Sequence, residues 1–169
     1  MWKFAAVVVL TLVAGTANAC ECGFPSEEAA ATSKTAFVFQ VVRSELHLGR
    51  KNDPLDDGAV AQIRVVQNLR GRAVATHISY STGWCCGPRL TIGGYYAAFL
   101  PGNPRSFAAD LGNIVSLGPL YQPSGSVPAP LKALLQGKEG AEGFLEQSYQ
   151  RLSQVPAPPC PPAKQRNGL

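Results

Sequence analysis

A twelve-residue stretch, TAFVFQVVRSEL at positions 35–46, is rich in phenylalanine and valine and predicts a long β-strand. Immediately before it, Ser26 is followed by Glu27, Glu28 and three alanines. A capping side chain with acids in the first turn is typical of a helix start. We therefore expect a short N-terminal helix that leads into the first strand.

More strands are expected C-terminal to this stretch. Apolar and polar residues alternate over residues 59–69, which is the period of a half-buried strand. A third strand is predicted with Val74, Thr76, Ile78 and Tyr80 on one face and His77 on the other, and the fourth and fifth strands at 95–100 and 113–117. One or two short helices follow, at 131–136 and 142–153. These elements predict a mainly β fold, a small closed or partly closed five-stranded barrel, with a flat sandwich as the alternative.

The composition limits the class of protein. The chain has 169 residues, 17 of them glycine and 14 proline, which allows one modest domain and argues against a helix bundle. A hydrophobic content of 46% with 15% charged residues excludes a disordered chain. The net charge of +4 comes without a basic stripe, so we expect no nucleic-acid partner.

The first nineteen residues have the layout of a signal peptide. Lys3 supplies a positive start, residues 4–14 are apolar, and Ala17-Asn18-Ala19 fits the small-x-small cleavage rule. Cleavage would make Cys20 the first residue of a secreted or periplasmic protein without a transmembrane segment. The alternative for this run is a buried N-terminal helix. Because lipoprotein processing also leaves a cysteine first, a lipid anchor at Cys20 is the second alternative, although Asn18 fits a lipobox poorly.

Export would place all five cysteines in an oxidising compartment: Cys20, Cys22, Cys85, Cys86 and Cys160. Since five is odd, at least one thiol is free or pairs with another molecule. A bridge within Cys20–Cys22 or between the adjacent Cys85 and Cys86 would be strained. We therefore expect the N-terminal pair to be joined to the central pair, which would fix an otherwise fraying terminus. The alternative is simple stapling of a small secreted domain.

Five short motifs occur in a characteristic order: Cys20-Glu21-Cys22, the strand Ala36–Val42, Leu69-Arg70-Gly71, Cys86-Gly87, and Gly93–Phe99. In this order they resemble the netrin-like, or TIMP-like, OB-fold family, which includes the tissue inhibitors of metalloproteinases. The resemblance covers residues 20 to 117. It implies a netrin-like OB-fold barrel at 20–118 after the signal peptide 1–19, with a connector and C-terminal helices packing on the barrel at 119–154. The remaining residues, 155–169, are expected to form a proline-rich, disordered tail.

The resemblance also implies a function. In the inhibitors, the α-amine and carbonyl of the first cysteine bind the open position of the protease's catalytic zinc. By resemblance, Cys20 would chelate that zinc, and a disulfide to Cys86 would hold Cys20 in place. This bond would close a loop of 67 residues and stabilise the fold by about 4 kcal/mol. Glu21, Cys22, Trp84 and Cys85 would form the contact ridge. The disulfide partner of Cys22 is left open between Cys85 and Cys160.

Other functions remain as alternatives. Glu21 stands where the inhibitors carry a small side chain, and burying its carboxylate in an apolar protease pocket would be unfavourable. This favours a non-inhibitory envelope or extracellular interaction module of the same fold. The third hypothesis is a thiol-based metal protein that uses the cysteines with His47 and His77. Because no motif for hydrolase, phosphate-binding or metalloprotease chemistry is present, we expect neither an enzyme nor a resident cofactor or metal.

Overall fold

The structure is a computed structural model, and it describes residues 27–48, 57–82, 87–118, 121–122, 126–138 and 140–153. Within these ranges the chain forms six strands and three helices. In chain order they are α1 (Glu27–Thr32), β1 (Thr35–His47), β2 (Gly58–Arg70), β3 (His77–Ser81), β4 (Tyr95–Leu100), β5 (Ser106–Ala108), β6 (Ile114–Gly118), α2 (Ala129–Gln136) and α3 (Glu142–Ser153).

All six strands belong to one mixed sheet with the order β5-β3-β2-β1-β4-β6. Neighbouring strands are antiparallel except for β3 and β5, which are parallel. The fold is therefore mainly β, as predicted, with the expected N-terminal helix and two C-terminal helices. The number of strands differs from the prediction of five, because the short strand β5 precedes the strand that was expected as the fifth. No ladder joins β5 to β6 among the described residues, so the sheet is not closed as a barrel.

The central strand β1 has apolar side chains on both faces in its first half. Phe37, Phe39 and Val41 point into one core, and Ala36 and Val38 point into a second. All five are at most 1% exposed. A strand that is covered on both faces has a nearly continuous run of apolar residues, which explains the high content of Phe and Val in the first half of β1.

The first core receives side chains from every strand. Phe107 of β5 packs edge-on against Phe37 and Phe39, with ring centroids 6.0 and 6.2 Å apart. Leu152 of α3 completes this cluster. The opposite face of the sheet is covered by α1 and α2, whose Ala30, Leu131 and Leu134 are fully buried in the second core. Helices α1 and α2 thus pack on the face of the sheet opposite the first core, and α3 contributes Leu152 to the first core.

A register shift between Val41 and Arg43 divides β1 into two parts. Up to Gln40 the strand pairs with β4 as well as with β2. Beyond the shift it pairs with β2 alone, and its side chains become exposed. Such an irregularity is a β-bulge, which bends a strand and increases its twist.

Within the described ranges, no helix combines the length and apolarity that a membrane span requires. Residues 1–26 and 154–169 lie outside the described residues, so the expected signal peptide and tail, and the domain boundaries drawn from them, stay predictions.

Candidate functional site

Every residue predicted to form the contact surface lies outside the described residues. Cys20, Glu21 and Cys22 precede α1; Trp84, Cys85 and Cys86 lie between β3 and residue 87; Cys160 follows α3. The structure does describe the chain after the N-terminal segment, from Glu27, and on both sides of residues 83–86. The site is therefore built from the elements that hold its two flanks, the helix α1 and the base of the 83–86 loop.

The helix α1 is held at its C-terminal end by one side chain, Arg70 at the end of β2. Its guanidinium Nη1 donates to the carbonyls of Ala30 (3.2 Å), Ala31 and Ser33 (2.9 Å). Its Nη2 donates to the carbonyl of Leu135 in α2, at 2.6 Å. A cation is favourable at this position, because the last carbonyls of a helix lack intrahelical partners and carry the negative end of the helix dipole. Arg70 therefore ties both helices to the sheet.

Close packing between α1 and α2 reinforces this attachment. Gly137 ends α2 in the left-handed conformation, with φ of 60°, and donates its N–H to the carbonyl of Leu134. A Cβ on Gly137 would lie 3.0 Å from the Cβ of Ala31, so the two helix ends approach closely. Glycine is thus required here both for its backbone conformation and for the space it leaves.

The residue after Arg70 has a related role. Gly71 has φ of +66°, and a Cβ there would meet the carbonyl oxygen of Lys34 at 3.0 Å. Lys34 lies in the two-residue link between α1 and β1, and its N–H donates to the carbonyl of Leu100. The pair Arg70-Gly71, which the sequence marked only as a motif, therefore fixes the end of α1 and its passage into β1.

The base of the 83–86 loop is also hydrogen-bonded on both sides. The N–H of Thr82 donates to the carbonyl of Asp57 at 2.9 Å, and Arg89 Nη1 donates to the carbonyl of Thr82 at 3.0 Å. The backbone N–H of Arg89 donates to the carbonyl of Leu152 at 2.7 Å, and Pro88 is fully buried. Arg89 thus joins the entry of the loop to its exit and to the end of α3.

The chain then turns into β4 through two glycines. The phenol oxygen of Tyr96 accepts the N–H of Thr91 at 2.8 Å. A Cβ on Gly94 would lie 2.7 Å from that oxygen, and Gly93 has φ of +84°. Burial raises the pKa of the Tyr96 phenol above its ordinary value of 10.0, although the bond from Thr91 acts in the opposite direction. Gly93 and Gly94 therefore form a fixed turn that leads into β4.

The two histidines do not lie together. His47 pairs with Gly58 on one side of β2, and His77 pairs with Gln62 on the other. Four residues along a strand correspond to about 13 Å, so the two imidazoles cannot share one metal ion. His77 is exposed, as predicted, and its Nδ1 lies 3.0 Å from the hydroxyl of Thr76. Among the described residues, no three His, Cys, Asp or Glu side chains group together as a metal site.

An open cleft of about 510 Å³ lies at the end of the sheet where Asp57 accepts the N–H of Thr82. It is lined by residues at the ends of β1, β2 and β3, among them His47, Asp57 and Ser81.

Searches of protein-family models and of curated proteins find no match to this chain. The netrin-like resemblance therefore stays a prediction from the motifs. Of the residues that hold the two flanks, the helix-clamping role of Arg70 and the bridging role of Arg89 were missed. The available signal was weak: a basic residue directly before a glycine at the end of a predicted strand, and another directly after Gly87-Pro88.

Proposed function

We propose that the protein is an extracytoplasmic protein-binding module of the netrin-like, TIMP-like type, and that it inhibits a zinc endopeptidase through the α-amine and carbonyl of Cys20. The observation that carries the proposal is the attachment of α1. This helix begins seven residues after Cys20, and Arg70 fixes its far end to the sheet and to α2. An N-terminal chelator needs such an anchor, because a free terminus would lose ordering entropy on binding.

The arrangement of strands supports the barrel part of the proposal. Ala109, directly after β5, donates its N–H to Ser79 at 2.7 Å, and Asn113, directly before β6, accepts the N–H of Phe99 at 2.9 Å. Only residues 109–113 therefore separate the two edges of the sheet. A parallel pairing of β3 with β5, combined with an antiparallel β1–β4 pair, is the order we expect of a five-stranded barrel whose last strand is split into β5 and β6.

The chemistry of the terminus is also suitable. An α-amino group has a pKa of about 7.7–8.0, so a substantial fraction is neutral and able to bind metal at neutral pH. The amine and the adjacent carbonyl can occupy the open position that a catalytic zinc keeps for water. The metal belongs to the partner enzyme, and the function requires no metal of this chain's own.

The first experiment determines the N-terminal sequence and the intact mass of the exported protein, before and after reduction. We expect an unmodified Cys20 and a gain of about 4 Da on reduction, as two disulfides require. An acylated Cys20 or a different cleavage site would contradict the inhibitor proposal, because the amine would be blocked or absent. An anchored or generic interaction module would then be the better conclusion.

The second experiment compares three forms of the protein against a panel of zinc endopeptidases. The mature chain should inhibit. In a variant with one alanine added before Cys20, the inhibition constant should rise about a hundredfold, which corresponds to a loss of about 2.7 kcal/mol in binding free energy. Glu21→Thr should inhibit more strongly, since it removes a carboxylate from an apolar pocket. Equal inhibition by the extended form would refute chelation by the amine. A lack of inhibition by the mature form and Glu21→Thr alike would favour the non-inhibitory module.

A further inference from the structure

The distal half of β1 forms an edge of the sheet. Pairing with β4 ends at Gln40, and Val41 makes the last bonds on that side, to the backbone of Gly93 and Gly94. Beyond the bulge at Val42, Arg43–His47 continue to pair with β2, and Leu48 follows the end of β1. On the side away from β2, no described residue pairs with them as a strand. We refer to residues 42–48 as the β1 edge.

The hydrogen-bonding phase of the β1 edge follows from its neighbours. The N–H of Ile63 donates to Thr76, so the odd-numbered residues of β2 bond towards β3. The even-numbered residues, Gln62 and Val60, therefore bond towards β1, where they lie opposite Arg43 and Glu45. It follows that Ser44 and Leu46 direct their backbone N–H and C=O groups to the open side.

Apolar side chains concentrate at this edge. Six large hydrophobic residues are exposed among the described residues. Three of them lie on the β1 edge, Val42 (47%), Leu46 (61%) and Leu48 (74%), and Ile92 (61%) lies beside its open side. Ile92 is beside the edge because the next residue, Gly93, donates its N–H to the carbonyl of Val41. An exposed apolar strand with free backbone groups is a template for pairing with another strand.

The sequence of the edge is complementary to itself. When two copies run antiparallel with Ser44 opposite Ser44, Arg43 lies opposite Glu45 of the second copy and Val42 lies opposite Leu46 of the second copy. Two Arg–Glu pairs then form by symmetry, at the positions where cross-strand side chains are closest. In the single chain Arg43 Nη2 lies 2.5 Å from Glu45 Oε1, with side chains 70% and 55% exposed, so both are free to exchange partners.

We propose that a second copy of this chain pairs antiparallel along the β1 edge in this register, forming a two-fold symmetric dimer with one sheet continuous through both copies. The two serines exchange backbone hydrogen bonds, and their neighbours on either side form the ion pairs and the apolar pairs. A two-fold interface uses the same surface on both copies, which is the property that this self-complementary pattern supplies. The C-terminal residues 154–169 are a poor occupant, because their prolines lack the N–H groups that a strand ladder requires.

The test is a set of charge reversals measured by sedimentation equilibrium on the full mature protein. The wild type should show a concentration-dependent dimer in the presence and absence of reductant. Arg43→Glu and Glu45→Arg should each raise the dimer Kd about tenfold, because both symmetric pairs become like-charged. The double variant, Arg43→Glu with Glu45→Arg, should return to within about threefold of the wild type. Arg64→Glu, an exposed change on β2, is the matched control and should leave the Kd unchanged.

Three results would overturn the proposal. The first is a monomer at all concentrations up to about millimolar, which would make the edge weaker than any specific interface. The second is a dimer that reduction alone abolishes, since the odd cysteine would then be the link. The third comes from amide hydrogen exchange: slow exchange at Ser44 and Leu46 in the dilute monomer would mean that the chain's own segments cover the edge. We expect protection of these amides only at dimer-forming concentrations, and its loss in Arg43→Glu.

Discussion

Replacing Arg70 by methionine should destabilise the protein by about 3 kcal/mol. The side chain contributes contacts to four carbonyls, of Ala30, Ala31, Ser33 and Leu135. Nη1 has two hydrogens, so at most two of its three carbonyl contacts act as full hydrogen bonds, and Nη2 adds one. Bonds to a charged donor contribute about 1.5–3 kcal/mol each. Because the site is only part-buried and water can reach some of the carbonyls, we take about 1 kcal/mol for each of the three.

The assay is urea unfolding at neutral pH, with thermal unfolding as a second measurement. A loss of about 3 kcal/mol in a domain of this size lowers Tm by about 10 °C. Arg64→Met is the matched control, because Arg64 lies on the same strand, is exposed, and, among the described residues, donates to the side chain of Gln40 alone. It should change the free energy of unfolding by less than about 0.5 kcal/mol. Arg70→Lys should lie between the two, at about 1–2 kcal/mol, since an ammonium cannot span both helix ends.

The attachment of α1 and α2 by Arg70 is refuted if Arg70→Met and Arg64→Met differ by less than about 0.5 kcal/mol in free energy of unfolding. A large loss of stability in Arg70→Met with wild-type stability in Arg70→Lys would also contradict this role of Arg70, because the effect would then come from the charge alone. Native-state hydrogen exchange gives a further check. The amides of α1 should exchange faster in Arg70→Met relative to those of β2, because the helix loses its attachment to the sheet before the core opens.

Two further predictions concern the core side of the fold. Burial raises the pKa of Tyr96 above 10.0, so ionisation of its phenol is less favourable in the folded state than in the unfolded state. The free energy of unfolding should therefore fall as the pH rises above about 10. Tyr96→Phe, which also loses the hydrogen bond from Thr91, should show a smaller fall between pH 8 and pH 11, measured by urea unfolding at each pH. Ser148→Ala should cost about 1–3 kcal/mol in the same assay, because the N–H of Ser116 donates to the Ser148 hydroxyl at 2.7 Å in a fully buried position and would lose its partner. Ser153→Ala is the control, because the Ser153 hydroxyl donates to the carbonyl of Tyr149 within its own helix, and it should cost less than about 0.5 kcal/mol. An equal loss in both serine variants would contradict the assignment.

The long strands were predictable because local pattern and tertiary environment agree. The stretch at 35–46 became β1, Thr35–His47, and the alternation at 59–69 became β2, Gly58–Arg70. Both strands are long and strongly patterned, so several residues contribute to each prediction. The same reasoning located the helix that begins at Glu27 and the helix Glu142–Ser153.

The third strand shows where the pattern misleads. Val74 was predicted to share a strand face with Ile78 and Tyr80, but β3 begins only at His77, and Val74 is 44% exposed. The reason is a side chain distant in sequence: Asn103 accepts the N–H of Val74 at 3.1 Å and donates to the carbonyl of Arg72 at 2.6 Å. This backbone segment is therefore bonded to a loop side chain rather than to a neighbouring strand.

The strand β5 could not be found from its own residues. It is three residues long, and only Phe107 among them is buried. Its parallel pairing with β3 is a tertiary contact with no local signal. Arg70 is a similar case, since its partners lie 37 to 65 residues away along the chain. Both contribute to the site through long-range geometry, which periodicity and composition do not encode.

The two proposals draw on different observations, yet they meet at one end of the sheet. Ser81, the last residue of β3 and two residues before the 83–86 loop, pairs with Gly58 of β2, which pairs in turn with His47 of the β1 edge. Two strand spacings separate these positions, about 10 Å. A second copy on the β1 edge would pair on the side of β1 away from β2, so a third strand spacing would separate it from Ser81, about 15 Å in all. Dimerisation and inhibition therefore involve different strands at this end of the sheet, and the charge reversals on the β1 edge and the extension before Cys20 test the two proposals independently.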